Sequence, residues 1–371
     1  MHISLLTLRS FRNYETLILE PFDEMNVLLG GNAQGKSAVL EAIYLLATSK
    51  SHRTSRDVDM IRVGDSMSRV VGEVRRSVRN DVIVEIDLAR ADKKTVKINT
   101  VKHAKIGDVV GQLNAVVFSD SDIDMVHEEP SRRRRFLNLE ISQVSPQYVY
   151  ALGRYKRVLE QRNNLLKEIK AAEGSAPGLE VWDEQLVSYG ATVTARRAEF
   201  VRLIAMAAAE IYADLTGGCE QLEVEYRPNV GVGDSVSEGE IAAIFAGALA
   251  AKRELDMMRA TTNTGPHRDD LSITINGLAA REYGSQGQRR TAAIALKLAE
   301  IELLRNAAGE NPVVLLDDVM AELDEPRRRR VLERAAGCQT FVTTTRLADL
   351  CSAVLEKAVV FEVEAGKVNK Q

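Results

Sequence analysis

The octapeptide GGNAQGKS, formed by Gly30, Gly31, Asn32, Ala33, Gln34, Gly35, Lys36 and Ser37, decides the reading of this chain. It fits G-x-x-x-x-G-K-[ST], with an apolar strand-like run at 27–29 ahead of it and a helical run at 38–46 behind it. Strand, loop and helix in that order build a phosphate-binding loop. Glycine lets the backbone curl with its N–H groups inward around an anion at the start of the helix. Lys36 is then expected to neutralise β- and γ-phosphates, and Ser37 to coordinate Mg²⁺.

Nearly three hundred residues downstream, PVVLLDD puts four apolar residues ahead of Asp317 and Asp318, the pattern of a buried parallel strand. At the carboxyl end of such a strand, beside the loop, Asp317 is expected to hold the Mg²⁺ shell and Asp318 to orient and deprotonate an attacking water. Between the two motifs lies YGSQGQRR at 283–290, directly before an amphipathic helical pattern. Ser285, Gly287 and Gln288 at such a helix start make a second anion site. One protomer already cradles its phosphates with the first loop. The second site is therefore a candidate for the γ-phosphate held by another subunit, against the plainer reading of a helix cap.

Around these motifs the texture changes twice. The first 125 residues alternate short strand-like runs with turns. Helical patterns follow at 132–141, 146–173 and 179–215, the last two parted by a breaker at 174–178. A strand-like LEVEY at 222–226, a GVGDS turn at 231–235 and a helical stretch at 238–259 lead back to alternating strand and helix beyond 271. That alternation predicts an α/β fold with a parallel sheet. The expected organisation is one discontinuous domain, 1–126 and 264–371, with a mainly helical insert at 127–263, and 371 residues suit two domains.

Composition excludes several classes. Hydrophobic content of 45% and charged content of 27% exclude a disordered chain. Cys219, Cys338 and Cys351 match no zinc spacing and are expected to be small buried residues in a reducing cytosol. Arg9, Arg12 and Glu15 interrupt the N-terminal apolar run before it could serve as a signal core, and no apolar window nears the ~18 residues of a membrane span. The expectation is a soluble, cytoplasmic, nucleoid-associated protein with no membrane partner.

GGNAQGKS, SQGQ, VVLLDD and AELD at 321–324 resemble the Walker A, signature, Walker B and D-loop motifs of the ABC-type ATPases. Within that superfamily FRNY at 11–14, RRRFLN at 133–138 and GPHRDD at 265–270 make the chain resemble the RecF family of bacterial recombinational repair, over essentially its whole length. The resemblance implies an ABC-type P-loop ATPase head like those of Rad50 and SMC proteins, with a short, mainly α-helical lid in place of a long arm. The helices at 127–263 show no sustained a/d heptad, which agrees. It implies ATP as the nucleotide, with Arg9, Arg12 and Asn13 near the adenine or phosphates. It also implies an ATP-dependent homodimer in which Lys36 of one protomer and Ser285 of the other engage one triphosphate. The function implied is a clamp on double-stranded DNA near single-stranded junctions, released by weak, DNA-dependent ATP hydrolysis, with RecO and RecR as partners and support of RecA loading. Two departures stand out: Asp318 occupies the usual place of a glutamate, one methylene longer, which predicts slow turnover, and Thr344 and Thr345 stand where transporters keep a switch histidine. The FSDSDID segment from Phe118 falls where a glutamine loop is expected.

The net charge of −4 argues against a highly basic DNA binder, but the charge is segregated. Residues 131–170 carry ten Lys and Arg against three acids, whereas 120–129 carries five acids and no Lys or Arg. Arg132, Arg133, Arg134, Arg135, Arg154 and Arg157 are the expected DNA contacts, lying along phosphates without reading bases. A solvated face paired with local carboxylates is the competing reading. Arginines 53, 56, 62, 69, 75, 76 and 79 form a second possible surface. An ABC transporter subunit and an SMC-like DNA organiser remain alternative functions.

Overall fold

The computed structural model describes every residue except 104–105, 172–177, 232, 234–236 and 351–354. Cys351, residues 174–177 of the expected breaker, and residues 232, 234 and 235 of the GVGDS turn lie outside the described residues. The chain divides into two compact units.

The first unit comprises Met1–Ile123, Asp214–Gly217 and Ala293–Gln371. It holds two six-stranded sheets. One is antiparallel, in the order Tyr14–Leu19, His2–Phe11, Met67–Arg75, Val82–Ala89, Thr95–Ile98, Val101–His103. Its strand Val82–Ala89 alternates buried and outward residues, as a sheet with one wet face requires. The other runs Lys367–Lys370, Ala358–Glu364, Met25–Leu29, Thr340–Thr344, Val313–Leu316, Ala115–Phe118, and all but the first of these are parallel. VVLL, TFVTT and AVVF are buried throughout, the mark of parallel strands covered on both faces. The helix Lys36–Thr48 is buried along nearly its whole length, and its apolar residues share one core with both sheets.

The second unit comprises Asp124–Ala213 and Gly218–Ala292. Helices Pro130–Val144, Pro146–Ala171, Leu179–Leu215, Glu238–Ala251 and Arg253–Arg259 accompany a three-stranded antiparallel sheet of Leu278–Ala279, Asp270–Ile275 and Leu222–Arg227. The expected single helix at 238–259 is thus two, broken at Lys252. Residues 264–292, assigned from sequence to the discontinuous domain, belong to this helical unit. Asp270–Ile275 pairs along its length with Leu222–Arg227. A buried polar cluster adds to this attachment. Arg197, with 2% of its side chain exposed, donates to the Tyr148 hydroxyl at 3.0 Å and the Asn138 side chain at 2.9 Å. It also donates to Pro266 O at 2.6 Å and to the Asp269 carboxylate at 2.8 Å.

Cys338 is buried as expected, but Cys219 is exposed. No described helix is long and apolar enough to cross a membrane.

Candidate functional site

Met25–Leu29 delivers the chain to the GGNAQGKS loop, where Ala33 (φ 62°) and Gly35 (φ 121°) take left-handed conformations that curl the backbone. A Cβ on Gly35 would stand 2.7 Å from both Asn13 Nδ2 and the Tyr14 hydroxyl, and one on Gly30 would stand 2.2 Å from Val363 O. Only glycine fits either approach. Lys36 folds back over the loop, its Nζ donating to Gly30 O at 2.8 Å and Gly31 O at 2.9 Å. Asn13 donates to Gln34 O at 2.8 Å and Tyr14 to Gly35 O at 3.1 Å. The far end of the chain braces the same loop, with the Ala365 N–H donating to Gln34 Oε1 at 2.7 Å and the Gly366 N–H to Gln34 O at 3.2 Å. Nothing in the sequence signalled this C-terminal support.

Val313–Leu316 pairs in parallel with Thr340–Thr344, which pairs in parallel with Met25–Leu29, so their carboxyl ends converge on the loop. The Ser37 hydroxyl donates to Asp317 Oδ1 at 2.7 Å, joining residues 280 positions apart. Thr343 donates to the same oxygen at 3.1 Å and accepts from the Asp318 N–H at 2.8 Å. Thr343 is therefore the hydroxyl that meets the carboxylate pair. Thr344 instead donates to Arg346 O at 2.9 Å, and Thr345 is exposed. Asp318 itself adopts a left-handed φ of 57°. The Asp317 N–H donates to Phe118 O at 2.9 Å, which sets the FSDSDID segment beside the pair.

Burial is the strongest influence on Asp317 and pushes its pKa up, but nearby His52 and the Ser37 and Thr343 hydroxyls together hold it below the ordinary carboxylate value. Asp318 goes the other way. Burial raises it most, Lys36 opposes, and the charge of Asp317 adds to the rise. Two adjacent carboxylates with opposite shifts can divide the work of cation ligand and proton acceptor.

A cleft of about 470 Å³ opens here, its lining including Arg12, Asn13, Asn32, Lys36, Ser37 and Asp318. Arg12 clamps Glu41 of the following helix through Nε at 2.7 Å and an Nη at 2.6 Å, and Asp59 O at 2.6 Å. Glu41, fully buried, also accepts from Ser51, so an acid hidden in the apolar helical run is an anchor that sequence reasoning passed over. Arg9 is exposed on His2–Phe11 and is not among the residues lining the cleft.

Ser285, Gly287 and Gln288 belong to the second unit and are not among the residues lining the cleft. The Ser285 N–H donates to Gln288 Oε1 at 2.8 Å and the Gln288 N–H to Ser285 Oγ at 3.2 Å, a reciprocal cap on helix Gln286–Ala308. Ser285 and Gly287 are exposed.

The arginines separate by burial. Arg133 has 5% of its side chain exposed and forks onto Asp270 at 2.6 and 3.0 Å, so its expected DNA contact does not carry over: its guanidinium is spent inside the unit. Arg134 is half-buried and donates to Asp269 O at 2.8 Å, and Arg135 is half-buried. Arg132, Arg154 and Arg157 are exposed, Arg132 pairing with Glu128 at 2.7 Å and Arg154 lying over the Tyr150 ring. On the second possible surface, Arg56, Arg62, Arg69 and Arg75 sit in ion pairs with neighbouring acids, which favours a solvated face there, while Arg76 is buried against Glu310.

A family model described as RecF/RecN/SMC N terminal domain matches residues 2–369. The DNA replication and repair protein RecF of Halalkalibacterium halodurans is 40% identical over 372 residues, spanning 100% of both chains. The chain belongs to the RecF family. It is accordingly a DNA replication and repair protein built on an ABC-type ATPase fold, and ATP hydrolysis is the activity that comes with that family. A solved structure of the recombination mediator protein RecF-ATP in the RecFOR pathway matches with a TM-score of 0.93 at 35% identity, covering 100% of this chain and 97% of that one. An Smc head domain from Pyrococcus furiosus, with an extended coiled coil and bound to the C-terminal domain of ScpA, matches at a TM-score of 0.55 and 18% identity over 100% of this chain and 96% of that one. With the Smc head the RecF-family chain shares the fold alone.

Proposed function

We propose that the chain is an ATP-gated DNA clamp: ATP joins two copies on duplex DNA near single-stranded junctions, and slow hydrolysis releases them. The observation that carries this reading is the 2.7 Å bond between Ser37 of the loop and Asp317 of the carboxylate strand, with Lys36 and Asp318 lining the same cleft. Lys36 balances phosphate charge, loop N–H groups hold the anion, and Arg12 and Asn13 border the nucleotide. The hydroxyl of Ser37 and the carboxylate of Asp317 form a hard oxygen donor set of the kind Mg²⁺ selects. Bound there, Mg²⁺ would neutralise charge on the β- and γ-phosphate oxygens. Asp318, kept more basic than an ordinary carboxylate, accepts the proton of the attacking water. Its short side chain accounts for weak turnover.

Ser285, Gly287 and Gln288 of a second copy complete the site from across a homodimer, using the start of helix Gln286–Ala308 as the anion contact. The head is the unit that carries the loop, and the helical unit is the lid. Arg132, Arg154 and Arg157 follow the DNA backbone. RecO and RecR are the partners, with RecA loading as the outcome, a reading supported by the RecFOR pathway named for the similar solved structure. Sedimentation and DNA affinity with ATP, with ADP and for Lys36→Met test the scheme. ATP alone should produce dimers that hold DNA, and a monomer binding DNA equally under all three conditions would end it.

A further inference from the structure

We propose that His52 is a positioning residue for Asp317, a built-in outer partner that holds this carboxylate in place when it serves a divalent cation; the inference rests on reading the cleft as an ATP and Mg²⁺ site. The His52 side chain is only 8% exposed, and both ring nitrogens are buried without a hydrogen-bond partner. A neutral imidazole offers one donor and one acceptor, and leaving such groups buried and unanswered is costly. An orphaned buried group of this kind calls for a partner that another state of the protein supplies.

Asp317 is the carboxylate next to it. His52 Nε2 lies 3.9 Å from Asp317 Oδ2, close enough for an ion pair but beyond hydrogen-bond reach. The hydroxyls of Ser37 and Thr343 both fall on the other oxygen, Oδ1. The Ser37 hydroxyl can bind a cation through an oxygen lone pair while its proton stays on Oδ1, so Oδ2 is the side of the carboxylate that neither hydroxyl orients. The imidazole beside Oδ2 needs to close by only about 1 Å to donate to it.

The ring is held ready for that role. It stands edge-on to Tyr44, with centroids 5.4 Å apart and planes at 87°. Ser51, the preceding residue, is bonded to the buried Glu41, and the Arg53 N–H donates to Ser51 Oγ at 2.9 Å. Tyr44 and Glu41 lie on the same helix as Lys36 and Ser37, so His52 moves with the residues that hold the phosphates and the cation. Outer partners that orient a ligating group strengthen metal binding, and their loss weakens it by about 10- to 100-fold.

The test uses the full chain, mant-ATP as the probe, and a titration of free Mg²⁺. His52→Phe keeps the ring volume and the edge contact with Tyr44 but has no ring N–H, while His52→Gln restores a donor. His52→Phe should need about tenfold more free Mg²⁺ for half-maximal binding and His52→Gln no more than about threefold, with unchanged probe affinity in EDTA. An unshifted Mg²⁺ requirement in His52→Phe overturns the inference. So does a His52→Gln variant as impaired as His52→Phe, or a parallel loss of binding in EDTA, since either would mean packing alone. If the parental chain fails to bind mant-ATP, or Lys36→Met binds it equally well, the nucleotide-site reading itself falls, whatever the His52 variants do.

Discussion

Replacing Arg197 by Met removes the centre of the polar cluster that ties residues 266–269 to the helices of the second unit. Arg197 makes four hydrogen bonds there, one of them to Asp269, whose side chain is fully buried. Asp269 keeps the Tyr226 hydroxyl and the Asn229 N–H at 2.8 Å, but among the described residues no other side chain forms an ion pair with it as Arg197 did. Breaking one side of a buried ion pair costs about 3–5 kcal/mol, and the retained bonds favour the lower end. Trp182 is the sole tryptophan; it lies in this unit and packs against the cluster of Tyr155, Leu186 and Phe245, so its fluorescence reports the unfolding of this unit. With a urea dependence of about 2 kcal/mol per molar, the Trp182 midpoint should fall by roughly 1.5–2.5 M. Adding Asp269→Asn removes the stranded charge and should recover part of the loss, a coupling the double-mutant cycle measures. A midpoint shift under about 0.5 M, or no recovery in the double variant, would refute the argument that this pair carries the attachment.

Asp318→Glu restores the missing methylene and should raise the ATPase rate on the order of tenfold without changing nucleotide affinity, read in steady-state assays; equal or slower turnover would remove side-chain length as the cause of weak hydrolysis. For DNA, the double variant Arg154→Ala/Arg157→Ala should lower the slope of log affinity against log salt by about two. Arg133→Ala should leave that slope unchanged while lowering the Trp182 unfolding midpoint, because its guanidinium is committed to Asp270. A slope change with Arg133→Ala would return that residue to the DNA surface.

Local sequence carried much of the site. A phosphate loop must place glycine where the backbone turns inward and lysine and serine at the helix start, and these demands act within eight consecutive residues. Buried parallel strands must be apolar along their whole length, so VVLLDD announced itself as a strand of a parallel sheet, whereas its pairing with TFVTT came from the fold. Met67–Arg75 was less legible because MSRVVGEVR mixes charges and glycine with its apolar residues, and only its burial pattern shows the period of two.

What tertiary structure alone decided are the relations between distant residues. That Thr343 and not Thr344 meets Asp317, that Arg12 clamps Glu41, and that Ala365 and Gly366 brace Gln34 depend on strand register and on which faces the packing turns inward. Register and burial likewise divided the arginines, drawing Arg133 onto Asp270 while leaving Arg154 and Arg157 in solvent. Sequence specifies chemistry where the interacting groups are neighbours along the chain. Where a charge finds its partner more than a hundred residues away, only the folded backbone determines whether that charge is available to a ligand or already satisfied within the protein.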